Sequence, residues 1–258
     1  THTVAGLFKN NTLFKHWRIK TESDMTADEL GICFHNLFKL SDINLSGIKG
    51  VISSSVVPQI DASYVACLRT LFPYLPENGF LSVNSANLQD LIPIMLDNPA
   101  EVGADRLVNG VAAFQICRKA AIVIDFGTAI TFDCISEKCE YLGGIILPGL
   151  NIALQALTQK AAKLPQIDIS IPPEKIIGTS TVSAMKSGIL NGYGAMIEGL
   201  IQKVAGEMPG DSPENIAVIA TGGMARFICP YAPSIEKIEP ALTLNGLYHI
   251  HCAKTKVC

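Results

Sequence analysis

The chain has 258 residues, of which 48% are hydrophobic and 17% are charged, so it is able to bury a large core and is not a disordered protein. Its formal net charge of −3 and its pI near 5.9 argue against nucleic acid or an anionic membrane as the main partner. No apolar run is long enough to span a bilayer, and the first residues lack a signal-peptide pattern. The length suits one large domain or two modest ones.

Hydrophobic periodicity predicts alternating strands and helices along the chain. Asn10-Asn11 joins two alternating runs, as in a β-hairpin, and Thr26-Ala-Asp-Glu29 is a capping box that opens a helix. The predicted strands lie at residues 1–9, 12–20, 47–57, 80–83, 140–148 and 215–220, with two more inside residues 121–136. The predicted helices start after residue 26 and after Pro58, and cover residues 107–117, 150–163, 181–208 and 242–253.

Eight cysteines are spread through the sequence without a Cys-x-x-Cys pair. Most of them lie in apolar patterns, which is typical of reduced core residues and predicts a cytoplasmic protein. His249, His251 and Cys252 could suggest a metal site near the end of the chain. Positions two apart on a helix point to different faces, however, so a metal site is the weaker interpretation.

The first candidate site is a short turn between two strands. An apolar run ends at Asp125, and an alternating strand begins soon after it. Gly127 lets an anion approach the backbone, and Thr128 and Thr131 add hydroxyl donors. The Asp125 carboxylate is suited to hold a cation that neutralises phosphate charge. A plain hairpin with a polar tip is the alternative, and Asp-x-Gly-Thr alone does not decide between the two.

The second candidate site is a helix start. Glu101-Val-Gly-Ala-Asp-Arg106 runs into an apolar helix, so a carboxylate and a guanidinium lie where the helix dipole and free N–H groups favour anions. An acidic residue in the first turn is also ordinary helix-start chemistry, and from the residues alone this alternative stays open.

The order of predicted elements repeats before and after residue 117. The repeat predicts two duplicated halves, 1–116 and 117–258, with the terminal helix able to pack back on the first. In this register Thr3-Val4 aligns with Thr131-Phe132, at the start of the second hairpin arm. We therefore expect an Asp-x-Gly turn and its incoming strand upstream of Thr1 in the natural protein.

Taken together, the motifs resemble those of type III pantothenate kinases, in the actin-like, ribonuclease H-like ATPase superfamily. The most specific are Gly103-Ala-Asp-Arg106 and Asp125-Phe-Gly-Thr128, in this order and closely spaced. The others extend the resemblance over nearly the whole chain: Thr1-His-Thr-Val4, Ser53-Ser-Ser-Val-Val-Pro58, Asp97-Asn-Pro99, Tyr141-Leu-Gly-Gly144, Pro148-Gly149, Ala162-Lys-Leu-Pro165, Thr181-Val182, Ser187-Gly188 and Ala220-Thr-Gly-Gly223. The resemblance implies an α/β fold of two duplicated ribonuclease H-like domains with a cleft between them.

The resemblance also implies a function, the ATP-dependent phosphorylation of pantothenate that begins coenzyme A synthesis. It implies Asp105 as general base, a monovalent cation (potassium or ammonium) at Asp125, Mg²⁺ with the ATP, and a homodimer. The implied pantothenate contacts are Leu96, Gly103, Ala104, Asp105, Arg106 and Thr181. The implied ATP contacts are Thr1, His2, Thr3, Val4, Gly127, Thr128, Gly222 and Gly223.

Two departures from the family pattern bear on activity. The first phosphate loop of the family, Asp-x-Gly-Asn before a Thr, is cut off at Thr1, and without it little or no activity is expected. The family's Tyr before Asp-Asn-Pro is Leu96 here, which removes a hydroxyl from the substrate side. The alternative functions are a sugar or acid kinase of the same superfamily and a catalytically silent regulator that keeps the fold.

A homodimer is also favoured by glycines in the long helical pattern of residues 181–208. Glycine costs about 1 kcal/mol in a helix interior, so Gly188, Gly192 and Gly199 at near-four spacing indicate close packing against another helix. That helix could belong to a partner or to the same chain.

Overall fold

The computed structural model describes residues 2–161, 163–210 and 212–255. The chain forms two compact units, each built from separate stretches of sequence. The first unit contains Thr1–Leu91, Asn98–Ala112 and Thr243–Cys258, and the second contains Ile92–Asp97 and Ala113–Leu242.

Strands and helices alternate along the described chain. The strands are β1 (His2–Lys9), β2 (Thr12–Lys20), β3 (Val51–Ser54), β4 (Phe80–Val83), β5 (Ala121–Phe126), β6 (Ala129–Ile135), β7 (Tyr141–Pro148), β8 (Ala217–Thr221) and β9 (Lys237–Ile238). The helices are α1 (Ala27–Lys39), α2 (Pro58–Leu71), α3 (Ser85–Leu88), α4 (Ala104–Cys117), α5 (Leu150–Lys160), α6 (Thr181–Glu207), α7 (Ala225–Ile228) and α8 (Leu242–Thr255).

Three predicted boundaries are wrong by several residues. The strand predicted over residues 47–57 shrinks to β3, because a 3₁₀ turn capped by Asn44 precedes it and α2 follows it closely. Helix α4 starts at residue 104 rather than 107, since the Gly103 carbonyl already accepts the N–H of Arg106. Helix α5 ends at residue 160 rather than 163, where Ala161 takes extended backbone angles.

The first unit contains two separate two-stranded sheets, an antiparallel β1–β2 pair and a parallel β3–β4 pair. The predicted hairpin is confirmed: Asn10 and Asn11 have φ of 51° and 63°, the left-handed pair that a two-residue hairpin turn requires. The predicted capping box is confirmed as well, because the Thr26 side chain and Glu29 bond each other's backbone N–H groups.

The core of the first unit includes contacts between α1 and α2. Leu30 and Phe34 of α1 are buried with Ile60 and Cys67 of α2.

His251 of α8 is also buried, and its ring fills space at Gly50, where an added Cβ would lie 2.3 Å from the His251 Nε2. Burial lowers the pKa of His251, because the charged imidazolium loses its hydration there.

The second unit has one five-stranded sheet in the order β7-β6-β5-β8-β9. Strand β6 runs antiparallel to β5 and β7, whereas β8 is parallel to β5 and β9. This is the strand order of a ribonuclease H-like domain, so the predicted α/β class is confirmed. β5 lies at the centre, which explains why Ile122 and Ile124 are fully buried against a core that includes Ile197 of α6.

The sheet topology places two turns at one edge. Because β5 and β8 are parallel neighbours, their carboxyl ends meet, and Asp125 pairs in register with Thr221. The turn after β5 and the Gly222-Gly223 turn after β8 are therefore adjacent, at the kind of sheet edge where α/β proteins place ligands.

No helix among the described residues combines the length and the apolar character needed to cross a membrane.

Candidate active site

The turn between β5 and β6 is tight and polar. Asp125, half-buried, is the second-last residue of β5, and the N–H of Gly127 donates to the carbonyl of Ala129 over 3.1 Å. A Cβ on Gly127 would lie 3.5 Å from Oδ1 of Asp125. The exposed Gly127-Thr128 backbone therefore lies directly beside the carboxylate.

Gly222 closes the turn from the other side. Its φ is +90°, and an added Cβ would lie 2.5 Å from Oδ1 of Asp125 and 2.6 Å from the backbone of Phe126. Each of these distances is too short for a side chain, so position 222 requires glycine. Two residues further on, Met224 donates its N–H to the Phe126 carbonyl over 3.3 Å.

The start of α5 is a third segment that borders this turn. The sequence analysis assigned no role to it. The N–H of Gly149 donates to the Thr128 carbonyl over 3.1 Å, and a Cβ at Gly149 would lie 2.1 Å from that oxygen. The positive end of the α5 dipole therefore lies next to the Gly127-Thr128 turn, where it favours an anion. The sequence signal for this close contact was Gly149 in Pro148-Gly149, because a glycine there immediately precedes a predicted helix.

Asp105 lies in the first turn of α4, in the first unit. Its Oδ1 accepts the backbone N–H of Arg106 over 2.9 Å. A Cβ on Gly103 would lie 2.5 Å from the same oxygen, so glycine at 103 leaves the space that the carboxylate occupies. Ala104 is buried and Asp105 is half-buried, which fixes the backbone while the acid keeps access to solvent.

The loop before Gly103 is held by its own side chains. Oδ1 of Asn98 accepts the N–H of Ala100 over 3.2 Å, and its Nδ2 donates to Oε1 of Glu101 over 2.9 Å. These bonds cap a 3₁₀ turn at Pro99–Glu101. The Gly103-Ala-Asp-Arg106 segment therefore starts from an ordered loop.

The two remaining predicted substrate residues lie in the second unit. Leu96 is half-buried, and its Cδ2 lies 3.4 Å from the Cβ position of Gly143 on β7. Thr181 is exposed at the first position of α6, directly after Ser180, which forms a capping box with Ser183.

The residues of β1 that were predicted to bind ATP lie in the first unit. The Thr3 hydroxyl is 2.7 Å from the Tyr64 hydroxyl and 2.9 Å from that of Thr21. Nδ1 of His2 is 3.2 Å from Nη2 of Arg18, and Val4 is exposed. Thr1 lies outside the described residues.

The predicted site residues form two groups. The group in the second unit contains Leu96, Asp125, Gly127, Thr128, Thr181, Gly222 and Gly223, and the group in the first unit contains His2, Thr3, Val4, Gly103, Ala104, Asp105 and Arg106. Within the second unit, Gly127, Thr128 and Gly222 form a glycine-lined turn around the Asp125 carboxylate, which suits phosphate with a cation. Within the first unit, the Asp105 carboxylate is ordered by the backbone N–H of Arg106.

Comparison with known proteins identifies the family. A family model described as type III pantothenate kinase matches residues 1–203. The type III pantothenate kinase of Desulfotalea psychrophila is 44% identical over 257 residues, which is 99% of this chain and 96% of the relative. That of Desulforapulum autotrophicum is 46% identical over 248 residues, covering 96% of this chain and 91% of the relative.

Among solved structures, the fold is similar to that of a Campylobacter jejuni protein assigned to the Baf family of transcriptional activators. The TM-score is 0.57 at 16% identity, over 95% of this chain and 94% of the other, so this likeness shows a shared fold alone. From the family model and the identity to these relatives, the chain belongs to the type III pantothenate kinase family.

Proposed function

We propose that this kinase uses Asp105 as the general base and the Asp125 turn as the phosphate site. The enzyme transfers the terminal phosphoryl group of ATP to pantothenate and forms 4′-phosphopantothenate, the first step of coenzyme A synthesis. The main observation in support of Asp105 as the base is the position of its carboxylate against Gly103. Both residues belong to one of the two motifs that are most specific to the family.

Phosphoryl transfer sets what the residues must do. The transferred group passes through a transition state with charge spread over its oxygens, so the protein positions the reactants and neutralises charge rather than forming covalent bonds. A base must take the proton of the attacking hydroxyl, and donors must hold the phosphates.

Asp105 fits the role of the base. One carboxylate oxygen, Oδ1, is fixed by the N–H of Arg106, which leaves Oδ2 to accept the proton of the pantothenate hydroxyl. The neighbouring Arg106 guanidinium would bind the pantothenate carboxylate as a fork donor. The Gly103 and Ala104 backbone, Leu96 and Thr181 would line the rest of the substrate site.

The Asp125 turn fits the phosphates of ATP. Gly127 and Gly222 lie at short range from the carboxylate, and the start of α5 contacts the same Gly127-Thr128 turn. Backbone amides and a helix start favour the phosphate oxygens, whereas the Asp125 carboxylate alone would repel them. On the nucleotide side we also place His2, Thr3 and Val4, together with Thr1.

A cation bound at Asp125 would offset this repulsion. Asp125 would hold a monovalent cation, potassium or ammonium, because a half-buried carboxylate beside a phosphate turn provides oxygen ligands and a compensating charge. Mg²⁺ would accompany ATP. When bound, the cations neutralise phosphate charge.

We place the enzyme in the cytoplasm, where its substrate ATP is made. Six cysteines among the described residues are free thiols, as is usual in a reducing compartment. Burial raises the pKa of Cys67, Cys139 and Cys229 to about 11, so these thiols stay protonated and unreactive near neutral pH.

The glycines of α6 support a homodimer. Gly188 and Gly192 are exposed, Gly199 is half-buried, and a Cβ at any of them would meet nothing within 4 Å among the described residues. The alternative that these glycines pack against another helix of the same chain therefore loses its support. Ala184 and Ala195 are exposed on the same helix and continue this narrow, small-residue surface, which suits close contact with a second copy.

We expect sedimentation at micromolar concentration to give the mass of a dimer. Gly192→Leu places a large side chain on the proposed contact and should shift the protein toward monomer. Gly31→Leu is the matched control, because Gly31 is also a helical glycine with open space around it. A monomeric mass for the unsubstituted protein would refute the homodimer.

Gly103→Ala tests the proposed site. The added methyl group would lie 2.5 Å from Oδ1 of Asp105, so the carboxylate must move, and we expect kcat to fall by about tenfold or more, since misplaced catalytic groups are costly. Gly31→Ala, with nothing within 4 Å of the new methyl group, should leave kcat unchanged. Steady-state kinetics of ADP release would check both, and equal kcat values would argue against Asp105 as the base.

A further inference from the structure

The segment Ile92–Asp97, here called the strap, belongs to the second unit although the residues on both sides of it belong to the first. It contains Leu96, and it leads directly into Asn98 and the loop before Gly103. Prolines at 93 and 99 interrupt any regular pattern, so the sequence predicts an irregular stretch there. What holds the strap in place therefore decides where Leu96 lies.

Tyr141, the first residue of β7, holds the strap by its backbone. Its N–H donates to the carbonyl of Pro93 over 2.8 Å, and its carbonyl accepts the N–H of Met95 over 2.9 Å. Ile94 and Tyr141 form an isolated parallel β-bridge. The strap therefore pairs with the edge strand β7 at Tyr141.

The side chain of Tyr141 is anchored in the core of the second unit. The ring is 1% exposed, and its hydroxyl donates to Oδ1 of Asp133 over 2.9 Å. Asp133 is 0% exposed, and a carboxylate that is buried to this degree must be hydrogen-bonded to be tolerated. Oδ2 of Asp133 also accepts the Thr131 hydroxyl over 3.4 Å, so Tyr141 belongs to a buried hydrogen-bonded network that favours one geometry.

The other end of the strap rests on the same strand. Gly143 has φ of +127°, a conformation that other residues rarely adopt, and Cδ2 of Leu96 packs against it. Tyr141 and Gly143 belong to the family motif Tyr141-Leu-Gly-Gly144, to which the proposed chemistry gives no role.

We propose that Tyr141, anchored by Asp133, and Gly143 are positioning residues that set the place of Leu96 and thereby the affinity for pantothenate. This inference rests on the proposed function, since it takes Leu96 as a pantothenate contact. None of the three residues touches the reacting atoms in this proposal. Their effect should therefore appear in the KM for pantothenate and not in the KM for ATP.

Tyr141→Phe tests the proposal, because it removes only the hydroxyl that donates to Asp133. In the protein expressed from its complete gene, the KM for pantothenate should rise by about fivefold or more, because a displaced Leu96 loses part of its contact with the substrate. The KM for ATP should stay within about twofold. Tyr231→Phe is the matched control, a half-buried tyrosine of the same unit whose hydroxyl bonds no described residue, and it should change neither value.

Gly143→Ala tests the same proposal at the other end of the strap, with the Tyr141–Asp133 bond intact. Alanine is strained at a φ of +127°, so the backbone against which Leu96 packs should shift and again raise the KM for pantothenate selectively. If Tyr141→Phe does not fold, Gly143→Ala alone decides by the same criterion.

An unchanged KM for pantothenate, or an equal rise in both KM values, would overturn the positioning role. An unsubstituted enzyme whose ADP release does not depend on pantothenate would instead contradict the proposed function. The two failures are therefore distinguishable in one set of measurements.

Discussion

Asp105→Asn should lower kcat by ~10²–10⁴-fold, the usual contribution of a positioned general base. The amide keeps the size of the carboxylate and an oxygen that can accept the N–H of Arg106, so α4 should start as before. Folding and ATP binding should therefore stay nearly intact. Pantothenate-dependent ADP release, measured in the protein expressed from its complete gene, checks kcat, and a binding titration checks ATP.

Asp28→Asn is the matched control for this result. Asp28 is an exposed acid in the first turn of α1, as Asp105 is an acid in the first turn of α4. If Asp105 were only a helix-start residue, both substitutions would have the same small effect on stability and neither would change kcat. Full activity of Asp105→Asn would establish that simpler role.

Asp125→Ala should act on binding. It removes the charge that holds the cation against the phosphates, so the Kd for ATP should rise by about tenfold to a hundredfold, the range for losing a charge-assisted interaction. The smaller side chain should also reduce the response to added potassium or ammonium. Titration of the protein with ATP at several potassium concentrations measures both effects.

Asp168→Ala serves as the control for Asp125→Ala. Asp168 is an exposed acid in the same unit, and among the described residues its side chain accepts hydrogen bonds only from Ser170. It lowers the negative charge of the protein by the same amount and should not change the Kd for ATP. An Asp125→Ala protein that binds ATP normally and keeps its potassium response would remove Asp125 from the cation site.

Two strand-to-strand turns, one after Asp125 and one at Asn10-Asn11, were predictable from sequence because their signals are local. An apolar run that ends at Asp125, followed by Gly127, dictates a tight strand-to-strand turn, and the structure has it. Asn10-Asn11 dictates the first hairpin for the same reason. The start of α4 was misplaced because its first turn is held by the Gly103 carbonyl, a bond that side-chain periodicity does not reveal.

The rest of the site depends on contacts between distant parts of the chain. The approach of Gly149 to Thr128, and of Gly222 to Asp125, follows from strand order rather than from any local pattern. The strap is the clearest case, since its bonds to Tyr141 join segments more than forty residues apart in sequence, and its prolines hide any periodic signal. Strand β9 is only two residues long, too short for periodicity to mark it.

Mass spectrometry of the reaction products tests the central claim most directly. The protein expressed from its complete gene is mixed with ATP, Mg²⁺, potassium and pantothenate, and the phosphorylated product and ADP are quantified together. We predict 4′-phosphopantothenate and ADP in equal amounts, both absent when pantothenate is omitted and both strongly reduced in Asp105→Asn. ADP formed at the same rate without pantothenate, with no phosphorylated pantothenate in the complete mixture, would contradict the account.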